Sequence, residues 1–136
     1  MKTFKLISLD LLEDKNEEII VSNIPLVDGL IIDREDEKNH WVIEALLNRN
    51  YAKYFNELNE KNEEFMLQAK ITKPSNQPAT FMCSILSINK MDEHINVLFL
   101  GSLIDRKKGQ IERTLRLLID EGYQGEELLD EFKDRV

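Results

Sequence analysis

The chain has 136 residues, enough for one domain with a sizeable core, and its 42% hydrophobic and 32% charged residues are typical of a globular protein. A net charge of −8 disfavours nucleic acid as a partner, because affinity for a polyanion comes largely from neutralising its phosphates. The single cysteine, Cys83, excludes an internal disulfide and a multi-cysteine metal site. The charged start of the chain and its short apolar runs predict no signal peptide and no membrane-spanning helix. We therefore expect a cytoplasmic protein with no cofactor and no membrane partner.

The N-terminal third alternates short apolar runs with charged stretches, which predicts β-strands joined by turns. Strands are predicted over residues 3–12, 19–21 and 41–46, with a turn at 13–16 and a charged connection over 33–39. Pro25 fits a strand start, an edge or a bend, because it cannot donate to a strand ladder. Asp28-Gly29 fits either a tight turn or a bulge within one strand.

The middle of the chain contains one predicted helix followed by further strands. Tyr51, Phe55 and Leu58 recur at helical spacing, which predicts a short helix over about residues 50–59. Strict alternation of apolar residues makes 65–71 the clearest half-buried strand. Two more strands are predicted near 79–89 and 94–102, after a loop at 73–78 and around a turn at 90–93. About seven short strands favour an antiparallel barrel or sandwich.

After Leu103 the apolar period becomes helical, which predicts a two-helix hairpin over residues 104–136 beside the strand-rich residues 1–103. The apolar stripes are Ile111, Leu115, Leu118 and Ile119 on the first helix, and Leu128, Leu129, Phe132 and Val136 on the second. Gly122 is placed to end the first helix. Isolated helices of this length are marginal in water, so we expect the hairpin to be docked on the barrel, on a second copy or on another protein.

Six segments together resemble the YwpF-like family of Gram-positive bacteria. They are residues 1–9, 27–32, 35–41, 69–73, 78–81 and 97–101. The resemblance covers about residues 1–103 and is weaker in the helical tail. It implies a β-barrel core over residues 1–103 with an attached helix pair. It also implies that this barrel is similar to the tube-forming proteins of type VI secretion. It implies no catalytic residue, because the segments support a fold and fold does not determine function.

Cys83 and two aromatic residues are interpreted as parts of the core. Cys83 lies in an apolar strand with neither histidine nearby in sequence, which favours a buried thiol that reacts slowly in the native protein. Phe65 and Phe81 could form a stacking platform for single-stranded nucleic acid, but their strands lack interleaved basic residues. Packing in the core is therefore the favoured interpretation.

Two acidic segments carry residue types that can ligate a metal ion. Both are interpreted as solvated turns. One is the run of carboxylates over residues 33–37, and the other is Asp92-Glu93 followed by His94. A calcium loop of the EF-hand type needs fixed ligand spacing and a central glycine, and Arg34 and Lys38 interrupt the first run. No catalytic, cofactor-binding or metal-ligating residue is predicted.

The two C-terminal helices carry opposite charges. The basic residues are Arg106, Lys107, Lys108, Arg113 and Arg116, and the acidic ones are Glu126, Glu127, Asp130, Glu131 and Asp134. The favoured interpretation is that the helices pair these charges and solvate their outer face, since exposed ion pairs are common and weak. The alternative is a docking surface, whose candidate residues are Arg106, Arg113, Arg116, Leu117, Leu118 and Tyr123.

The sequence favours a non-enzymatic protein-interaction or assembly module that uses the helical hairpin or an exposed barrel edge. Its partner would be an unknown protein or a second copy of the chain, so self-association is left open. The alternative is a barrel that binds a small ligand in its mouth. An enzyme ranks third, and a nucleic-acid binder ranks last because of the charge.

Overall fold

A computed structural model describes residues 1–15, 18–104 and 108–135, which form seven β-strands and three α-helices. The strands are β1 (Lys2–Lys15), β2 (Glu18–Ile24), β3 (Leu26–Asp33), β4 (His40–Asn48), β5 (Phe65–Ile71), β6 (Ala79–Met91) and β7 (His94–Ile104). The helices are α1 (Ala52–Lys61), which follows a 3-10 turn over Arg49–Tyr51, then α2 (Lys108–Asp120) and α3 (Gly125–Arg135). None of the helices in this described part of the chain is long and apolar enough to cross a membrane.

Six of the strands close an antiparallel barrel in the order β1-β3-β4-β7-β6-β5. Closure occurs on β1, which pairs with β3 through residues 2–5 and with β5 through residues 6–12. The seventh strand, β2, pairs with residues 9–15 of β1 and lies outside the closed barrel. Pro25 lies at the break between β2 and β3, which confirms its prediction as a strand boundary.

Side chains at alternate strand positions fill the barrel interior. Phe99 of β7 lies at its centre, with ring centroids 5.5 Å from Phe55 of α1 and 5.8 Å from Phe65 of β5. Phe65 and Phe81 are both buried, which confirms that they belong to the core. Tyr51 and Leu58 pack against the same cluster as Phe55. The residues predicted from helical spacing are therefore the ones through which the helical segment contacts the barrel.

Asp28-Gly29 lies within β3 directly after a bulge at Val27 and does not form a turn. The register with β4 shifts between Leu26 and Asp28, and the strand then continues. A Cβ atom on Gly29 would lie 2.8 Å from Cδ2 of Leu6 and 3.0 Å from the carbonyl oxygen of Glu44. Glycine at this position therefore allows Leu6 of β1 and the backbone of β4 to approach β3 closely.

Two predicted turns are shorter than expected, because the strands continue through them. Residues 13–15 belong to β1 and pair with residues 18–20 of β2, whereas Asn16 lies outside the described residues. Residues 90 and 91 belong to β6, which leaves Asp92-Glu93 as the turn before β7. Polar residues are common both in turns and on the solvent side of antiparallel strands, so composition alone misplaced these strand ends.

The two C-terminal helices pack on the outside of the barrel and share a second hydrophobic cluster with it. Its buried members are Leu12, Met66 and Met82 from strands and Leu115, Leu118, Ile119, Leu128 and Phe132 from helices. This confirms that the helices are docked, with the barrel as the docking surface. Their antiparallel hairpin geometry stays a prediction. β7 continues to Ile104, one residue beyond the predicted boundary, while residues 105–107 and Val136 lie outside the described residues.

Gly122 ends α2, as its position predicted. Its φ of +98° is one that residues with a Cβ rarely adopt. The N–H of Gly122 donates to the carbonyl of Ile119 at 2.9 Å, and the N–H of Tyr123 donates to the carbonyl of Leu118 at 3.1 Å. These two bonds form a Schellman motif, in which the residue after the glycine contacts the last turn of the helix. Tyr123 accordingly packs against the second cluster.

Candidate interaction surface

The outer face of β3, β4 and β7 carries aliphatic side chains where an exposed sheet would carry polar ones. Alternate residues of these strands fill the barrel, so the remaining ones point outward. The outward residues are Leu30 and Ile32 of β3, Val42, Glu44 and Leu46 of β4, and Leu98 and Leu100 of β7, and we call this set the β3–β4–β7 face. The described helices pack mainly elsewhere, on β1, β2, β5 and β6.

Strand register makes this face continuous. Ile32, Val42 and Leu100 lie side by side in one row across the three strands. The next row places Glu44 between Leu30 and Leu98. Leu30 is 43% exposed, and Leu86, at a bulge in β6 beside the same row, is 52% exposed, whereas the other aliphatic residues of the face are half-buried. The result is an apolar patch of the kind that marks binding sites on soluble proteins.

One carboxylate lies at the centre of the face. Oε1 of Glu44 accepts a hydrogen bond of 3.1 Å from Nδ2 of Asn96, and both side chains are half-buried. In the described part of the chain Glu44 forms no ion pair. A depression of about 190 Å³ beside it is lined by Asp28, Gly29, Leu30, Glu44, Leu46, Met91 and Asn96. The face therefore combines aliphatic surroundings with one negative charge that has no cationic partner among the described residues.

The β3–β4–β7 face was not among the predicted residues, although the sequence carries a signal for it. Leu30-Ile31-Ile32 and Val97-Leu98-Phe99-Leu100 are continuous apolar runs, not alternating ones. Such runs are typical of strands that are covered on both faces. In this fold the barrel interior covers one side, and the other side has no cover from the described helices.

The residues predicted as a docking surface do not form one together. Those residues are Arg106, Arg113, Arg116, Leu117, Leu118 and Tyr123. Leu118 is fully buried in the second cluster, which corrects its assignment to an interaction surface. Leu117 is 53% exposed, and Arg113 and Arg116 are exposed on α2, whereas Tyr123 is half-buried. Arg106 lies outside the described residues. Charge pairing between the two helices stays a prediction.

The acidic segment between β3 and β4 forms its own local hydrogen bonds. Oδ1 of Asp36 accepts from the backbone N–H of Lys38 at 3.1 Å and of His40 at 2.9 Å. The bond from His40 lowers the pKa of Asp36. The N-terminal amino group, 2.9 Å from Glu35, lowers the pKa of that carboxyl. Asp33 accepts from the N–H of Glu35 at 2.9 Å. These contacts are those of a solvated turn, which supports the interpretation from sequence.

Cys83 and the turn before His94 also have structural roles. Cys83 is fully buried, as expected, and burial raises the pKa of its thiol. The carbonyls of Asp92 and Glu93 accept hydrogen bonds from Arg49, at 2.9 and 3.0 Å. Over residues 1–15, 18–104 and 108–135, no group of three or more histidine, cysteine or acidic side chains could hold a metal ion.

A cavity of about 270 Å³ lies outside the barrel, where all three helices approach β1 and β5. It is lined by Leu11, Leu12, Glu13, Ile19, Tyr54, Leu58, Lys61, Glu63, Glu64, Phe65, Met66, Leu115, Gly125, Glu126, Leu128 and Leu129. The hydroxyl of Tyr54 donates to Glu13 at 3.2 Å, and burial together with this carboxylate raises the pKa of Tyr54. Packed side chains occupy the barrel interior, whereas this cavity lies beside the barrel.

These features define a six-stranded antiparallel barrel with a docked pair of C-terminal helices and an apolar face that the described helices leave uncovered. The chain belongs to the YwpF-like family, whose profile, described as "YwpF-like protein", matches residues 2–135. It is 40% identical over 136 residues, the full length of both chains, to the "Uncharacterized protein YwpF" of Bacillus subtilis (strain 168). Its fold is similar to the crystal structure of a hypothetical protein from Staphylococcus aureus, with a TM-score of 0.72 and 28% identity, covering 98% of this chain and 91% of that one.

The family match extends to residue 135, which corrects the expectation that the resemblance covers only about residues 1–103. The similarity to tube-forming proteins of type VI secretion stays a prediction.

Proposed function

We propose that this protein is a non-enzymatic protein-interaction module and that a partner protein covers the β3–β4–β7 face. The observation that supports the proposal is a set of six aliphatic side chains, Leu30, Ile32, Val42, Leu46, Leu98 and Leu100, on three adjacent strands. At about 25 cal/mol per Å², covering a few hundred Å² of such surface stabilises a complex by several kcal/mol before ordering costs. The proposal involves no cofactor, nucleic acid or membrane surface.

The partner in this proposal is a different protein that presents a lysine or arginine among apolar side chains. Two copies of this chain placed face to face would bring two Glu44 carboxylates together, and like charges in such a contact are unfavourable. The net charge of −8 on each copy adds longer-range repulsion. A cationic side chain opposite Glu44 would instead give a charge-assisted hydrogen bond that is shielded from water.

Site-specific photo-crosslinking in Bacillus subtilis, which has a relative of this protein, tests the proposal. A photoreactive phenylalanine analogue at Leu98 is expected to give a defined adduct with one protein, and the same analogue at the exposed Lys53 of α1 is the control. Mass spectrometry of the adduct is expected to place a lysine or arginine near the crosslinked site. Glu44→Arg should lower the adduct yield roughly tenfold or more, because it places a cation opposite the partner's cation.

Two results would contradict the proposal. One is an identical pattern of adducts from positions 98 and 53, which would mean that the face meets proteins only by random collision. The other is an adduct at position 98 whose yield is unchanged by Glu44→Arg. A thermal melt of each variant shows that the substitution has left the fold intact.

The alternative function, binding of a small molecule, is supported by the cavity near Tyr54 and not by the barrel mouth. Its volume of about 270 Å³ is near the lower end for ligand sites, and its acidic side chains favour a small cation with an apolar body. In either function we place the protein in the cytoplasm, where an unpaired thiol such as Cys83 stays reduced.

A further inference from the structure

β2 has a free strand edge. It pairs with β1 through seven consecutive residue pairs without a bulge, and in the described residues its other edge pairs with no strand. A row of unpaired backbone N–H and C=O groups is a template for another strand. Natural edges are protected by lysine, proline, bulges or a covering element. Residues 19–23, Ile-Ile-Val-Ser-Asn, contain no lysine or proline, and Ile20 and Val21 are 37% and 43% exposed.

We propose that two copies of this chain pair antiparallel through β2, with Ile20 opposite Ile20. This register also places Ile19 opposite Val21 twice and Glu18 opposite Ser22. Directly opposed residues then lie on the same face of the joined sheet, as strand geometry requires. Cross-strand pairs of β-branched residues stabilise a sheet, and the two Glu18 carboxylates stay apart. A register centred on Val21 would instead oppose Ile19 to Asn23, with fewer such pairs.

The surface beside this edge leaves room for the second copy. A space of about 420 Å³ between β2 and α2 is lined by Glu18, Ile19, Arg116, Ile119 and Asp120. Arg116 forms no ion pair among the described residues and lies one helical turn from Asp120. Glu18 and Asp120 are the carboxylates that line this space, and Arg116 of the same copy partly offsets their charge, which limits repulsion there despite the overall charge.

The area of contact indicates a weak dimer. One strand edge buries less surface than the roughly 1,200 Å² of a stable interface, so association depends on concentration. We expect a dissociation constant between about 10 µM and about 1 mM. The contact uses none of the residues of the β3–β4–β7 face, so it stands or falls independently of the proposed partner protein.

Sedimentation velocity from about 1 µM to about 1 mM protein tests the dimer. The wild type is expected to shift from monomer towards dimer, and Ile20→Lys to remain a monomer, because two lysines would face each other across the pair. Leu103→Lys is the matched control, since Leu103 is 40% exposed against 37% for Ile20 and lies on β7, away from β2, and this variant is expected to dimerise like the wild type.

Hydrogen exchange of the wild type gives a second measurement that needs no variant. Amides of residues 19–23 are expected to exchange more slowly at the high protein concentration than at the low one. Monomer at all concentrations overturns the proposal. A dimer that survives Ile20→Lys, or one that Leu103→Lys removes, also overturns it, because self-association would then use another surface.

Discussion

Leu118→Asp is expected to lower the free energy of unfolding by at least about 4 kcal/mol and to release α2 and α3 from the barrel. Leu118 is fully buried between helices and strands, so the substitution removes apolar contacts and buries an unpaired carboxylate. A domain has only about 5–15 kcal/mol of net stability, so much of the variant would be unfolded at physiological temperature. Urea titration followed by circular dichroism measures the change.

The adjacent Leu117→Asp is the matched control, because Leu117 is 53% exposed on the same helix. It is expected to change the free energy of unfolding by no more than about 0.5 kcal/mol. Equal losses in the two variants would contradict the docking of α2 by its Leu115, Leu118 and Ile119 side.

Phe99→Ala is expected to lower the free energy of unfolding by about 3–5 kcal/mol, the usual cost of deleting a buried phenylalanine ring. The substitution leaves a cavity between Phe55 and Phe65, whose ring centroids lie 5.5 and 5.8 Å from that of Phe99. The neighbouring Leu98→Ala is expected to cost less than about 1 kcal/mol, because Leu98 points out of the barrel. Thermal and urea unfolding of both variants measure the difference. A larger loss for Leu98→Ala than for Phe99→Ala would place Leu98 in the interior and remove it from the proposed surface.

The elements that sequence predicted well are those with strong local patterns. Alternation placed the strand over 65–71 at the residues where it occurs, and Tyr51, Phe55 and Leu58 placed α1 within two residues. The expectation that this strand is half-buried is wrong, because residues 65–69 are buried on both faces, between the barrel interior and the C-terminal helices. Gly122 ends α2 because a positive φ after a helical stripe is a local requirement. Each of these features depends on neighbours within about one or two turns of chain, which a sequence displays directly.

The features that sequence could not give depend on pairing between distant residues. Closure of the barrel on β1 depends on its pairing with both β3 and β5, and the position of β2 outside the barrel depends on the same strand. Identifying the β3–β4–β7 face from the sequence would have required knowing which side of each strand the helices cover. The continuous apolar runs signalled two-sided contact, but they do not show what supplies the second side.

The sequence also could not separate the buried from the exposed candidate residues on α2. An apolar stripe identified a helix with one face to bury, yet Leu117 and Leu118 are neighbours in sequence and only the docking geometry separates them. Glu44 was unremarkable in sequence, because its significance comes from Leu30 and Leu98, which flank it on the neighbouring strands.

The proposed cover of the β3–β4–β7 face by another protein can be tested by thiol labelling in a cell lysate. Leu98→Cys and, as a control, Lys53→Cys can each be expressed at native level and treated with a thiol reagent, once in fresh lysate and once as purified protein. The native Cys83 does not interfere, since it is fully buried and its thiol pKa is raised. We expect cysteine at position 98 to react roughly tenfold more slowly in the lysate than in the purified protein, and cysteine at position 53 to react equally in both. Equal rates in lysate and purified protein at position 98 would contradict the proposal.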